Sequence, residues 1–273
     1  MSAKAAFLED RGIVSVAGAE AGPFLHNLVT NDVLGLGPGE ARFAALLTPQ
    51  GKIVADFFIL RADDEHGPRY LLDCPAPLTP ELMKKLALYR LRAKLDIADR
   101  SAELGVAAYW DGAPPERAWR DPRETAIGWR KIAPRDGLRT LGDAGYAAHR
   151  IACGVPQGGA DFVYGDAFPH DVNMDALHGV DFKKGCYVGQ EVVSRVQHRG
   201  ATRKRVLRAH FSGAPPAVGA EIMAGDAAIG VMGSTAQGLG LALVRVDKLE
   251  EAMAAGAAIR CGATPLHFEA PGV

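Results

Sequence analysis

The stretch Phe182–Gly200, FKKGCYVGQEVVSRVQHRG, sets one cysteine between two glycines, behind two lysines and ahead of a helical pattern rich in arginine. Val192, Val193 and Val196, with Gly200 as the stop, predict a helix from about Val188. Cys186 then stands just before a helix N-terminus. Unpaired N–H groups there, together with Lys183 and Lys184, favour a thiolate and a reactive sulfur. Glu191 in the first turn complements the helix dipole and can reach Arg195 one turn on. Gly189 removes side-chain bulk where a ligand or another backbone comes close. The plainer alternative stays open: Cys186 as a small buried hydrophobe, with glycines that only shape a turn.

Charge is uneven around this stretch. From Lys183 to Arg208 eight Lys or Arg face one acid, Glu191, in a chain of net charge −1. That points to an anionic ligand, although Arg203–Arg208 by itself reads as a solvated linker. The run lacks the interleaved aromatics that would suit single-stranded nucleic acid, and a near-neutral chain creates no global field to recruit nucleic acid or membrane.

The chain has 273 residues, 48% of them hydrophobic and 23% charged, the balance of a globular protein with more than one packed unit. Its longest apolar run, Ile53–Leu60, is far below the roughly 20 residues that cross a bilayer and contains Asp56. Met1–Val16 carries Glu9 and Asp10 and has neither a signal-peptide core nor an Arg-rich transit pattern, so cytoplasmic residence is expected. Cys74, Cys153, Cys186 and Cys261 are scattered without a C-x-x-C pair, which argues against a disulfide framework or a metal site.

Working outward, Arg42–Thr48 and Lys52–Leu60 predict a hairpin around Pro49-Gln50-Gly51, and Arg69–Cys74 a further strand. Thr79-Pro80-Glu81 predicts an N-cap and first turn for a helix to about Leu91, with Leu82, Leu86 and Tyr89 inward. Ala93–Ala98, Leu104–Tyr109 and Ile127–Ile132 read as strands, Pro114–Thr125 as a surface loop, and Asp143–Cys153 as a helix. Val155–Asp175 has no steady period and reads as a long connection. From Val206 the texture turns to short Gly-punctuated strands, expected to form a small barrel or sandwich.

Lys184–Glu191, KGCYVGQE, resembles the K-G-C-Y-x-G-Q-E motif of the YgfZ family, folate-binding proteins related to the T-protein of the glycine cleavage system. The resemblance extends through Leu25–Val33, Leu47–Phe57, Tyr89–Lys94, Arg150–Pro156 and Asn173–Phe182. It implies an α+β fold of three lobes, two intertwined lobes around a central channel within residues 1–200 and a C-terminal β-barrel over 201–273. It implies tetrahydrofolate as cofactor and iron-sulfur client or assembly proteins as partners. A folate channel needs a carboxylate for the pterin N–H donors and cations for the glutamate tail. The candidate ligands are Arg92, Asp171, Asn173, Gln190, Glu191 and Arg195, with Cys186 and Lys184 as the reactive pair and no resident metal. Asp171 and Asn173 can equally cap turns, and Thr30-Asn31-Asp32 can be a helix exit. Where aminomethyl-transferring T-proteins carry adjacent aspartates, this chain has Ala55-Asp56, so aminomethyl transfer is disfavoured for want of a proton carrier; a folate-dependent one-carbon (aminomethyl or methyl) transferase is the alternative activity.

Overall fold

The computed structural model describes residues 3–143, 145–200 and 202–269, without the side chain of Arg199. The chain divides into two compact units: Met1–Tyr146 with Asp175–Gln190, and Ala147–Met174 with Glu191–Val273.

The first unit contains β1 (Lys4–Leu8), β2 (Arg11–Ala17), α1 (Ala21–His26), β3 (Ala41–Leu47), β4 (Ile53–Arg61), β5 (Arg69–Pro75), α2 (Thr79–Arg90), β6 (Asp96–Asp99), β7 (Leu104–Trp110), β8 (Trp119–Arg120), β9 (Trp129–Pro134) and α3 (Arg135–Leu138). They build a five-stranded sheet in the order β3-β4-β5-β2-β6 and a four-stranded sheet in the order β1-β7-β9-β8. The expected hairpin is β3–β4. Thr48 N donates to Lys52 O at 2.8 Å, Gly51 N donates to Thr48 O at 2.8 Å, and Gly51 takes φ +81°, a conformation that costs glycine nothing. The core of the larger sheet gathers Leu25, Leu46, Phe57, Leu72, Leu82 and Leu86. Each fully buried leucine contributes about 1.5–3 kcal/mol of apolar transfer.

Two local readings are corrected. Helix α2 begins at Thr79, fed by a 3-10 turn over Ala76–Leu78, so Thr79 is not its N-cap. Its hydroxyl instead lies 3.5 Å from Cys74 Sγ, packed against Gly12, where a Cβ would stand 2.4 Å from Thr79 Oγ1. The segment Pro114–Thr125 is not merely surface, because it contains β8 and the buried Asp121 and Arg123.

Those two residues belong to a charge network that joins the two sheets. Asp73 on β5 accepts from Arg11 Nε at 2.5 Å and from Arg130 of β9 at 3.0 and 2.7 Å. Asp121 accepts from Arg123 Nε at 3.0 Å and Nη2 at 2.8 Å. Arg123 and Arg130 also lie over the Phe58 ring, at 4.7 and 4.4 Å from its centroid. Burial by itself would raise the Asp73 carboxyl, but Arg11 and Arg130 beside it hold it below the ordinary carboxylate range.

The second unit takes most of α4 (Tyr146–Ala152) and of α5 (Gln190–Arg199), then β10 (Lys204–His210), β11 (Glu221–Ala224), β12 (Ala227–Ala236), β13 (Leu239–Arg245), α6 (Val246–Ala254), β14 (Ile259–Cys261), β15 (Thr264–Pro265) and β16 (His267–Phe268). The strands form one sheet in the order β15-β14-β11-β12-β13-β10-β16. Its two end strands are separated in sequence only by the buried Leu266, so the sheet curls into a nearly closed barrel. Helix α6, unforeseen in the sequence, sends Leu249 into the barrel core with Ile222, Met232 and Ala242.

Arg205 and Arg208 belong to strand β10 and not to a linker. Arg205 Nη1 donates to His170 O at 3.0 Å, and Arg208 Nη1 donates to Ala152 O at 2.9 Å. A neighbouring tie centres on the buried Arg150 and Asp161: Arg150 Nη1 meets Asp161 Oδ2 at 2.8 Å and Val155 O at 2.6 Å, while its Nη2 reaches Ser234 Oγ on β12 at 2.9 Å. Gly233 permits this approach, since a Cβ there would stand 2.4 Å from Asp161 Oδ1.

Candidate functional site

The cysteine segment is fastened to the loop between α1 and β3 by polar groups about 150 positions apart. Asp181 N donates to Thr30 O at 2.9 Å, and Thr30 Oγ1 donates to Gly179 O at 2.6 Å while accepting from Ala45 N at 2.9 Å. Asn31 Nδ2 donates to both Phe43 O and His178 O at 2.7 Å. The Thr30-Asn31 pair is therefore a clasp between the cysteine segment and β3, beyond the helix exit that its composition suggested. Asp181 Oδ1 then turns the chain by accepting from the backbone N–H of Lys183 at 2.7 Å and of Lys184 at 3.1 Å.

Lys184 is 9% exposed, and its ammonium enters a cage of three backbone carbonyls. It donates to His26 O, to Val29 O at 2.6 Å and to Asn31 O at 3.0 Å. An ammonium has three N–H bonds, and a helix end leaves carbonyls that need donors. Burial pushes this group down to about 8, with Asp32 and Asp181 pulling the other way. Burial and the adjacent Lys184 charge also lower His26, although Asp32 Oδ1 lies 3.1 Å from its Nδ1. The expectation that the Lys184 ammonium serves the sulfur of Cys186 is corrected in this respect: its donors are spent on the carbonyl cage.

Beyond Lys184 the chain surfaces for Gly185 and Cys186 and dives again at Tyr187. The Tyr187 ring centroid lies 5.1 Å from Lys184 Nζ, and burial pushes its phenol up to about 12. Val188 packs on the core of the larger sheet. Gly189, at φ +82°, presses on the β3–β4 turn, where a Cβ would meet Thr48 O at 2.6 Å and Gly51 Cα at 3.1 Å. Cys186 is the one exposed cysteine of the four. Helix α5 starts at Gln190, so the thiol stands four residues before the helix, not at its N-terminus. The segment Tyr187–Gly189 continues past the expected helix start because it has to follow the β3–β4 turn.

The remaining candidates divide between the units. Arg92 follows α2 in the first unit, exposed; Gln190 is half-buried at the start of α5. Asp171, Asn173, Glu191 and Arg195 belong to the second unit. Asp171 Oδ2 accepts from Phe168 N at 3.0 Å, a turn cap. Asn173 holds φ +62° and donates Nδ2 to Val206 O at 2.7 Å, which leaves its amide oxygen as the group suited to a ligand. Glu191 and Arg195 are exposed and form no ion pair among the described residues, as expected where a surface i,i+4 pair contributes about 0.3–0.5 kcal/mol. Asp56, the acid retained beside Ala55, is buried within the field of Arg11.

Residues 203–273 match the CAF17, C-terminal beta-barrel domain family. The human "Iron-sulfur cluster assembly factor IBA57, mitochondrial" is 34% identical over 280 residues, which covers 89% of this chain and 78% of that protein. This chain belongs to the IBA57 family of iron-sulfur cluster assembly factors. Another IBA57 relative, "Iron-sulfur cluster assembly factor IBA57 homolog, mitochondrial" of Mycosarcoma maydis, is 36% identical over 237 residues. The match takes in 78% of this chain but 59% of the fungal protein, so the chain spans about three-fifths of that relative's length. Among solved structures, the glycine cleavage system aminomethyltransferase T from Bartonella henselae superposes with a TM-score of 0.74 over 98% of this chain and 84% of that one. At 15% identity that likeness establishes the T-protein fold for the IBA57-family chain.

The IBA57 relatives are named mitochondrial, and this overturns the cytoplasmic expectation. The physical reason is visible in the fold: Lys4–Leu8 and Arg11–Ala17 are strands β1 and β2, so the composition of this stretch answers to a sheet. Among the described residues, no helix is long and apolar enough to cross a membrane.

Proposed function

We propose that this chain supports iron-sulfur cluster assembly by binding tetrahydrofolate and by offering the Cys186 thiol to client or assembly proteins, in the manner of the YgfZ family. The observation that carries the reading is the setting of the cysteine. An exposed sulfur sits on a segment of two residues whose neighbours, Lys184 and Tyr187, are buried and locked. A packing cysteine has no use for such a mount, whereas a thiol that must meet another protein does. Ligation of a cluster would draw further thiolates from the partner, since clusters are held by several and, among the described residues, no group of three His, Cys, Asp or Glu side chains could hold a metal ion.

The donor set of the second unit suits a reduced folate. Asp171 supplies a carboxylate of the kind that pairs with pterin N–H groups, Asn173 an amide oxygen, and Arg195 an exposed cation for a glutamate carboxylate. Glu191 and Gln190 lie at the start of the same helix as Arg195. Arg92 is the corresponding exposed cation of the first unit. Bound tetrahydrofolate would supply one-carbon chemistry; the residues named here bind and orient.

Replacing Cys186 by Ala in the host should depress iron-sulfur enzyme activity and leave the melting temperature unchanged. Undiminished activity would remove the thiol from the function. Calorimetry with tetrahydrofolate should show binding that weakens at least tenfold in Arg195→Ala or Arg92→Ala, as loss of a charge-assisted hydrogen bond of about 1.5–3 kcal/mol requires. No heat with the unaltered protein would end the folate reading. Catalytic transfer of a labelled one-carbon group to an acceptor would favour a transferase instead.

A further inference from the structure

The end of α2 carries an exposed surface of which the proposed site uses Arg92 alone. Between Leu82 and Leu95 there are five cations, Lys84, Lys85, Arg90, Arg92 and Lys94, and no acid. Leu88 and Leu91 stand among them, 67% and 87% exposed. Lys84 and Leu88 share a helix face at i,i+4, and Leu91 follows three positions later. Leu91 adopts φ +48° and ψ −106°, an unfavourable backbone for a bulky side chain that ends the helix with the leucine turned to solvent. Glu81 stands one turn before Lys84 and Lys85 in α2, and Glu20 Oε1 accepts from the backbone N of Lys94 at 3.1 Å. Among the described residues, the side chains of Lys84, Arg90 and Lys94 make no ion pair.

The geometry points to this surface as a docking site for a partner protein that presents an apolar pocket rimmed by Asp and Glu. Charge complementarity selects that occupant. A second copy of the chain, meeting patch to patch, would set like charges against each other. An anionic membrane needs a free apolar helix face, but α2 spends its own on the core through Leu82 and Leu86, leaving two leucines. Nucleic acid would meet the cations yet gain nothing from exposed leucines, which suit a desolvated pocket.

The test places a photo-crosslinking amino acid at Ala87, exposed beside Leu88, in the full chain expressed in its host. The expected result is an adduct with a protein whose crosslinked surface, mapped by mass spectrometry, is acidic. Its yield should fall at least tenfold in the triple variant Lys84→Glu, Arg90→Glu, Lys94→Glu. A similar loss is expected in Leu88→Ser, Leu91→Ser, which keeps every charge. Arg92 stays unaltered in both. An adduct with lipid, nucleic acid or a second copy, a yield indifferent to either variant, or no adduct at all would overturn the inference. Flotation of the purified protein with phosphatidylglycerol vesicles, lost in the triple variant, would overturn it in favour of a membrane. The Cys186→Ala protein should crosslink as well as the unaltered one, so failure of this surface and failure of the thiol reading are separate results.

Discussion

Lys184 and Arg150 are both buried cations, 9% and 4% exposed, and each holds an irregular segment to the framework of its own unit. They do so by different chemistry. Arg150 pairs with the Asp161 carboxylate through Nη1, backed by Val155 O and Ser234 Oγ, so its charge has a counter-charge. Lys184 faces three neutral carbonyls, and burial shows in the drop of its pKa to about 8. The difference teaches that the mount of the exposed cysteine carries its charge against a burial cost that the second unit's tie offsets with a carboxylate.

The comparison would be broken most forcefully at Arg150. Arg150→Met leaves Asp161 charged and buried, and an uncompensated charge of that kind costs about 3–5 kcal/mol. Urea unfolding should reveal that loss, and a change under 1 kcal/mol would deny the pair its structural part. Lys184→Met should cost less, about 2–3 kcal/mol, because the carbonyls left behind are neutral. Hydrogen exchange should then quicken across 181–189 and stay unaltered across 150–161.

The proton dependence of Lys184 has a definite sign. Its folded pKa, about 8, lies below the ordinary value of 10.5, so the unfolded chain binds more protons between those limits. The stability of the unaltered protein relative to Lys184→Met should therefore rise as pH climbs from about 8 to 10.5. A fall over that window would contradict the burial cost.

Gly189→Ala comes next in size. A methyl group would crowd Thr48 O from a left-handed backbone, at a cost of about 1–3 kcal/mol. Thermal melting would show the loss, and an unshifted midpoint would mean that the turn yields freely. Cys186→Ala should change stability by about 0.5 kcal/mol or less, as for an exposed side chain without a structural partner.

Several elements were legible because their causes are local. The β3–β4 hairpin follows from alternating apolar residues and Pro49-Gln50-Gly51, and α2 from the spacing of Leu82 and Leu86. Strands β10 to β13 are bounded by glycines and turn residues that announce themselves. Helix α6 escaped notice because it leaves β13 directly at Val246, with no breaker between strand and helix. The start of α5 was misplaced by two residues because the register of Tyr187–Gly189 is set by the β3–β4 turn.

By itself, the sequence determined that Cys186 lies in a glycine-bounded octapeptide of family type, that the chain mixes helix with sheet, and that its end is a small barrel or sandwich. Periodicity and turn chemistry act over a few residues and can be read off a string. Tertiary structure alone decided that the Lys184 ammonium points to His26, Val29 and Asn31, that Arg130 crosses to Asp73, and that Arg205 and Arg208 reach from β10 to the carbonyls of His170 and Ala152. A long cation can serve any carbonyl or carboxylate within its reach, and only the folded backbone brings one of them there.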